Sequence, residues 1–143
     1  MDRGQIQSRE GDLEWETWSE EEIPQKGLVY WKTLISKGVT RSENLTLGLA
    51  NLPLGGALRE HRHRQEEVYD VLEGSGLVRV GAEELEAEAG SAVFIPGDVP
   101  HSCENTGASE MRVAYVFPAD SFDEVEYVFE NRARDRSTHG GCT

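Results

Sequence analysis

Residues 55–74 read GGALREHRHRQEEVYDVLEG and contain the pattern that decides the fold. Two histidines, a glutamate and a tyrosine in this stretch lie at odd-numbered positions: His61, His63, Glu67 and Tyr69. Because side chains alternate between faces with a period of two along a strand, the sequence predicts one strand with all four on the same side. Imidazole nitrogens and a carboxylate gathered on one face are ligands that divalent transition metals accept in proteins.

Residues 90–105 read GSAVFIPGDVPHSCEN and supply a third histidine, His101. Pro96 is expected to end a strand before the loop that brings His101 inward, and Asn105 to cap the following turn. Four protein ligands leave positions open for a substrate or O₂ on a metal that prefers five or six. The predicted metal ligands are therefore His61, His63, Glu67 and His101. We expect one divalent transition metal per chain. The ligand types do not fix its identity, because they fit Fe, Mn, Ni, Zn, Co and Cu.

Short apolar runs separated by Gly- and Pro-containing turns occupy most of the remaining chain, which predicts a single all-β barrel or sandwich. The predicted strands are Leu28–Ile35, Leu45–Leu52, Glu67–Leu72, Gly76–Val80, Ala92–Ile95, His101–Asn105, Met111–Phe117 and Val125–Phe129. We expect a domain over 27–130, preceded by an acidic extension over 1–26 in which Trp15 and Trp18 are isolated anchors. The polar tail 131–143 is expected to be disordered, and its His139 is not expected to be a ligand.

The bulk properties of the chain narrow its partners. A formal net charge of -13 over 143 residues disfavours nucleic acid and anionic membrane surfaces, both of which require Lys and Arg. No apolar run approaches the length of a transmembrane helix, and the acidic, interrupted N-terminus does not resemble a signal peptide, so a cytoplasmic protein is expected. Cys103 and Cys142 do not indicate a disulfide framework. The acidic run 83–88 is expected to be a solvated surface.

The two stretches resemble the paired signatures of the cupins. The first signature is matched at every position, by Gly55, His61, His63, Glu67 and Gly74. The second is matched by Gly90, Pro96, His101 and Asn105, with Asp98 in place of its second glycine. The resemblance implies a single-domain jelly-roll β-barrel, a metal held by the four ligands named above, and a homodimer.

Beyond these signatures the chain resembles the cupin dimethylsulfoniopropionate lyases. The likeness lies in Trp31–Leu34, in residues 61–69 and in residues 113–129. It implies a small-molecule substrate and a β-elimination that releases dimethyl sulfide and acrylate. Tyr69 matches the tyrosine that acts as base in that family, and Tyr127 matches a second, supporting tyrosine. Tyr115 is a further candidate on the C-terminal strands.

Other functions are compatible with the same ligands. Three histidines and a glutamate can hold Fe(II) with room for substrate and O₂, as a non-haem dioxygenase requires, and Cys103 could lie near that metal although it is expected to be buried packing. A non-catalytic domain that binds a metal or a small ligand is the third possibility. A sugar-phosphate isomerase would need cations in the pocket, whereas Arg62 and Arg64 are expected to point outward because their parity is opposite to that of the histidines.

Overall fold

The computed structural model describes residues 4–129, and within them the protein is built almost entirely from antiparallel strands. The strands are β1 (Glu16–Thr17), β2 (Tyr30–Ile35), β3 (Thr46–Leu52), β4 (Ala57–Arg62), β5 (Glu67–Glu73), β6 (Ser75–Val80), β7 (Glu83–Glu88), β8 (Ala92–Ile95), β9 (His101–Glu104), β10 (Met111–Phe117) and β11 (Val128–Phe129). One short helix, α1 (Ile23–Lys26), and two 3₁₀ turns, Glu10–Asp12 and Phe122–Glu124, complete the described elements. The prediction of an all-β fold is confirmed.

The strands form two sheets that face each other. The first has the order β1-β2-β3-β10-β5-β8 and the second has the order β11-β4-β9-β6-β7. Alternation along β10 shows why these sequences form a sandwich, because Met111, Val113, Tyr115 and Phe117 are buried while the residues between them are half-buried. Apolar side chains from the two inner faces meet in one core.

Most predicted strands are present, and two of them, Ala92–Ile95 and Met111–Phe117, have the predicted bounds. The run expected over Val125–Phe129 is a strand only in its last two residues. The acidic run 83–88 is a strand, β7, whose glutamates are exposed while Ala87 is buried.

The prediction of a single histidine strand is wrong. β4 ends at Arg62 and β5 begins at Glu67, and the two strands belong to different sheets. The crossing is tight: the Asp98 N–H donates to the His63 carbonyl over 2.7 Å, and a Cβ on Gly97 would meet the Arg64 carbonyl oxygen at 2.4 Å. The predicted parity nevertheless holds, because the chain passes from the inner face of one sheet to the inner face of the other.

The segment before residue 27 packs against the sandwich. β1 pairs with β2, the Thr17 hydroxyl donates to the Val29 carbonyl, and the Trp18 ring contacts the Trp31 ring with 4.7 Å between centroids. Upstream, Glu10 accepts a 2.6 Å hydrogen bond from Arg112. The segment therefore covers part of the first sheet and delivers Trp18 to the space between the sheets.

Other expectations stay predictions. The domain limits at residues 26 and 130 are among them, and the tail with His139 and Cys142 lies outside the described residues. Within residues 4–129, no helix has the length and apolar character needed to cross a membrane.

Candidate metal centre and its cavity

Four buried side chains that the sequence predicted as ligands meet between the sheets. His61 comes from β4, His63 from the crossing that follows it, Glu67 from the start of β5 and His101 from the start of β9. His61 and His101 are directly opposite each other in the β4–β9 pair, which explains why two residues 40 positions apart in the chain have adjacent rings. Solvent is excluded from all four, because the relative exposures are 0% for His61, 2% for His63, 3% for Glu67 and 1% for His101.

Backbone carbonyls fix the orientation of all three imidazoles. The Nδ1 atoms of His61, His63 and His101 lie 2.8, 3.0 and 2.8 Å from the carbonyl oxygens of Arg59, Gln65 and Val99, respectively. A carbonyl only accepts, so each Nδ1 carries a hydrogen, and in a neutral ring the lone pair is then on Nε2. Burial, reinforced by the neighbouring His101, lowers the pKa of His61 well below its ordinary value and keeps that ring neutral.

The three histidines offer ligand atoms that lie within 4.8 Å of one another. The Nε2 atoms of His61 and His101 are buried without a hydrogen-bond partner. Oε1 of Glu67 lies 3.0 Å from Nε2 of His63 and 3.3 Å from Nε2 of His101. Lone pairs and a carboxylate oxygen at these distances repel one another unless a proton or a cation lies among them, so the donor set fits a metal ion.

Residues of the second signature support this centre rather than joining it. Nδ2 of Asn105 donates to the carbonyls of Leu52, Pro53 and Ser109, and its Oδ1 accepts from the Gly107 N–H. Asn105 therefore caps the turn after β9, as predicted. Asp98 adopts a positive φ of 60°, the left-handed conformation that a glycine in its place would adopt without strain.

The arginines flanking the histidines point away from the centre, as their parity predicted. Arg64 is exposed, and Arg62 is half-buried with its guanidinium 3.7 Å from the Asp98 carboxylate. Neither residue lines the cavity next to the metal ligands. A cationic pocket of the kind that a sugar phosphate requires is absent from the described part of the chain at this cavity.

The cavity beside the ligands holds the three tyrosines that the sequence singled out. Tyr69 and Tyr115 are cross-strand partners in the β5–β10 pair, and both line the cavity together with Tyr127. The hydroxyls of Tyr69 and Tyr115 are both buried without a hydrogen-bond partner. Burial, with a smaller contribution from Glu67, raises the pKa of Tyr69, of Tyr115 and of Tyr127 above the ordinary value. Without a cation nearby, these phenols are therefore neutral at physiological pH.

Cys103 also lines the cavity, but its surroundings make the thiol unreactive. It is buried, its Sγ is 4.0 Å from the Met111 sulfur, and burial raises the pKa of its thiol to about 12. A thiol that stays protonated is a poor nucleophile and a poor metal ligand. The expectation that Cys103 is packing agrees with this environment.

The sequence did not point to several cavity residues. The sequence presents Trp18 as an isolated anchor, Trp31 as part of a predicted strand and of the lyase resemblance, and Phe122 only as part of that resemblance, yet all three line the cavity. Trp18 arrives there through the two-residue pairing of β1 with β2, which is too short to leave a periodic pattern. An aromatic residue in an otherwise polar segment was the one available clue.

Comparison with known proteins agrees with the fold. Residues 48–117 match the model of the cupin domain. The chain belongs to the cupin family. Dimethylsulfoniopropionate lyase DddW from Ruegeria pomeroyi is 41% identical over 106 residues, which are 74% of this chain and 69% of that protein.

Solved cupin structures support the jelly-roll architecture. A predicted oxalate decarboxylase from Thermotoga maritima superposes with a TM-score of 0.65 at 26% identity. The superposition covers 77% of this chain and 96% of the decarboxylase chain. A structure from a study of dimethylsulfoniopropionate lyases superposes with a TM-score of 0.69 at 21% identity, covering 83% of this chain and 63% of its own. The predicted cupin jelly roll is therefore confirmed as two facing antiparallel sheets, while the homodimer stays a prediction.

Proposed function

We propose that this cupin is a metal-dependent lyase that cleaves dimethylsulfoniopropionate into dimethyl sulfide and acrylate. The observation that carries the proposal is the position of Tyr69: its ring centroid lies 6.0 Å from that of His101, and its hydroxyl is buried without a partner in the cavity that Glu67 also lines. A candidate base that lines a cavity beside a metal-binding donor set is the arrangement that proton abstraction next to a carboxylate requires. The 41% identity with DddW, a lyase for this substrate, supports the same reaction.

The elimination needs one base and one leaving group. Tyr69, as phenolate, removes a proton from the carbon next to the substrate carboxylate. The electron pair of that C–H bond forms the new carbon–carbon double bond while the C–S bond breaks. Dimethyl sulfide leaves as a neutral molecule, acrylate keeps the carboxylate, and the proton passes from Tyr69 to solvent before the next turnover.

His61, His63, Glu67 and His101 would hold the divalent transition metal, whether Fe, Mn, Ni, Zn, Co or Cu. The chemistry that a dication supplies at such a site is polarisation of the substrate carboxylate and electrostatic support for a neighbouring phenolate. This support opposes the effect of burial and of Glu67 on the pKa of Tyr69. The sandwich itself contributes a cavity lined mainly by apolar and aromatic side chains, in which charge interactions are stronger than in water.

Tyr127 is proposed as the supporting tyrosine. Its ring stacks on His61 with centroids 4.8 Å apart and lies 5.2 Å from the His63 ring. The hydroxyl is therefore carried on a ring that two candidate ligands hold in place. We assign it the role of a polar neighbour to the substrate beside Tyr69.

The test is release of dimethyl sulfide without oxygen. Purified protein, loaded separately with Fe(II), Mn(II), Ni(II) and Zn(II), is incubated anaerobically with dimethylsulfoniopropionate, and headspace dimethyl sulfide is measured. The proposal expects metal-dependent release without O₂, and much less release from the metal-free protein. Failure to release dimethyl sulfide with any of these metals would contradict the substrate. A strict requirement for O₂ would instead favour the Fe(II) dioxygenase alternative.

A further inference from the structure

The cavity beside the candidate ligands has an unusual composition. Its lining is mainly aromatic and aliphatic, and among the described residues Glu67 is the one charged side chain that lines it. No lysine or arginine from the described part of the chain contributes to its wall. A cavity that offers ring faces and a carboxylate but no cation suits a ligand that brings a positive charge of its own.

Four aromatic residues form a closed circuit in the wall of this cavity. The ring centroids are 4.7 Å apart for Trp18 and Trp31, 6.4 Å for Trp31 and Phe122, 6.1 Å for Phe122 and Tyr127, and 6.3 Å for Tyr127 and Trp18. We call these four residues the aromatic cage. Tyr127 belongs to both parts of the site, because its ring also stacks on His61. The cage is therefore adjacent to the candidate metal centre and not a separate pocket.

The chemistry of such a cage favours methylated cations. An aromatic ring has a negative face, and a cation within about 6 Å of the centroid is attracted by it, most strongly when water is excluded. A methylated sulfonium or ammonium cannot donate a strong hydrogen bond, so a protein recognises it through ring faces instead of through carboxylate pairs. The four rings are partly buried against the core, which removes water from that end of the cavity.

We infer that the aromatic cage binds the onium group of a small onium carboxylate while the carboxylate end lies toward the three histidines and Glu67. The inference deepens the proposed function and rests on it for the orientation of the substrate. It assigns a specificity-determining role to Trp18, which the N-terminal segment carries. It also names the substrate class by its chemistry: a short carboxylate with a methylated sulfonium or ammonium group.

The N-terminal segment has the contacts needed to hold Trp18 in the cage. β1 pairs with β2 directly before Trp18, and Lys26 Nζ lies 4.5 Å above the Trp18 ring. Lys26 does not line the cavity, and its ammonium forms a 2.8 Å ion pair with Glu22 that offsets its charge. The Trp18 ring thus already attracts one cation outside the cavity and keeps its place in the cavity wall.

The experiment compares a cationic ligand with its uncharged analogue of equal shape. β-Alanine betaine carries a trimethylammonium group, and the matching acid in which carbon replaces nitrogen is neutral at that end. Both are titrated by calorimetry into Zn(II)-loaded protein, so that any contact of the shared carboxylate with the metal cancels in the ratio of dissociation constants. We expect the wild-type protein to prefer the betaine by about tenfold, which corresponds to about 1.4 kcal/mol and lies between the cation–π energies of exposed and desolvated sites.

Variants at Trp18 separate ring chemistry from volume. Trp18→Leu should abolish the preference, whereas Trp18→Phe, which keeps a ring face, should retain most of it. Phe94→Leu removes an exposed aromatic ring that does not line the cavity and should leave the ratio unchanged. If Trp18→Leu fails to fold by circular dichroism, Phe122→Leu takes its place. A preference that survives in the folded Leu variant, or a wild type without one, would overturn the inference.

The outcomes also separate this inference from the lyase proposal. Preference for the betaine without release of dimethyl sulfide would support the cage and refute the reaction. Release of dimethyl sulfide without any preference for the betaine would support the reaction and refute the cage. Repeating the titration with dimethylsulfoniopropionate on the Tyr69→Phe protein distinguishes a cage for sulfonium from one restricted to ammonium.

Discussion

The imidazole of His61 and the phenol ring of Tyr127 stack face to face, with centroids 4.8 Å apart and planes 11° apart. His61 is fully buried, and its other ring contacts are with His63, His101 and Phe129. Tyr127 therefore covers a face of a candidate metal ligand, and its ring and its hydroxyl have separable roles.

Replacing Tyr127 by Phe and by Leu separates these roles. Tyr127→Phe keeps the stacked ring, so metal content and the free energy of unfolding should stay near wild type while dimethyl sulfide release falls. Tyr127→Leu removes the ring as well and should lower the free energy of unfolding by about 1 kcal/mol, the typical energy of an aromatic pair. Urea titration and metal analysis measure both effects. Equal instability of the two variants would contradict a role for the stack.

Tyr69→Phe tests the assignment of the base. The substitution removes one hydroxyl that has no hydrogen-bond partner in the folded protein, so stability and metal content should be unchanged. Turnover should fall by at least about 100-fold, because a positioned base typically contributes this much or more. Full turnover by a folded, metal-loaded Tyr69→Phe protein would show that another group abstracts the proton.

His61→Ala and His101→Ala should each abolish activity and sharply reduce bound metal. Each substitution removes a ligand outright, so the loss of affinity should exceed the roughly 10- to 100-fold that follows loss of a supporting hydrogen bond. His139→Ala is the matched control, since His139 is not expected to be a ligand. Metal per chain is measured by elemental analysis after dialysis. Stoichiometric metal in either ligand variant would be incompatible with the assigned centre.

Gly48→Ala should destabilise the protein by about 1–3 kcal/mol, the usual consequence of overpacking. A Cβ at Gly48 would lie 2.1 Å from a ring carbon of Tyr115, its cross-strand partner, and a rigid ring in the core cannot move away easily. Gly11→Ala is the control, because nothing lies within 4 Å of its Cβ position. Urea denaturation of the two variants should therefore differ clearly, and equal midpoints would refute the close approach.

The metal-free protein should lose stability in acid. Because burial lowers the pKa of His61 in the folded state, the unfolded chain binds a proton below about pH 6.5 that the folded chain does not. The free energy of unfolding should then fall with decreasing pH by up to about 1.4 kcal/mol per pH unit for this residue. Urea titrations of chelator-treated protein from pH 8 to pH 5 measure the slope, and a flat profile below pH 6.5 would contradict a buried neutral His61.

Strand parity predicted the inward side chains well, because one rule governs every strand of a sandwich. It placed Glu67 and Tyr69 inside and Arg64 outside, and the structure agrees. The same rule could not reveal that the chain changes sheets between His63 and Glu67. A crossing that begins and ends on inner faces preserves parity, so the pattern looks like one continuous strand.

The N-terminal contribution was not predictable by these means. Its acidic composition describes its exposed surface correctly, but the contacts that dock it are made by few residues. Trp15, for example, lies under Lys32 and near Arg112, with cation-to-centroid distances of 4.6 and 5.9 Å. Such contacts join positions far apart in the chain and form only when the sheet has folded, so no local sequence pattern predicts them.

The four rings of the aromatic cage all lie outside residues 48–117, the part of the chain that matches the cupin model. The three histidines and Glu67 lie inside it. Two cupins can therefore share every metal ligand and still differ in the molecule that is presented to them. Similarity over the shared cupin core indicates which metal chemistry is available. The segments before and after that core must be compared to learn which substrate the chemistry acts on. Substitutions in the flanking segments can therefore change the substrate without altering the metal ligands.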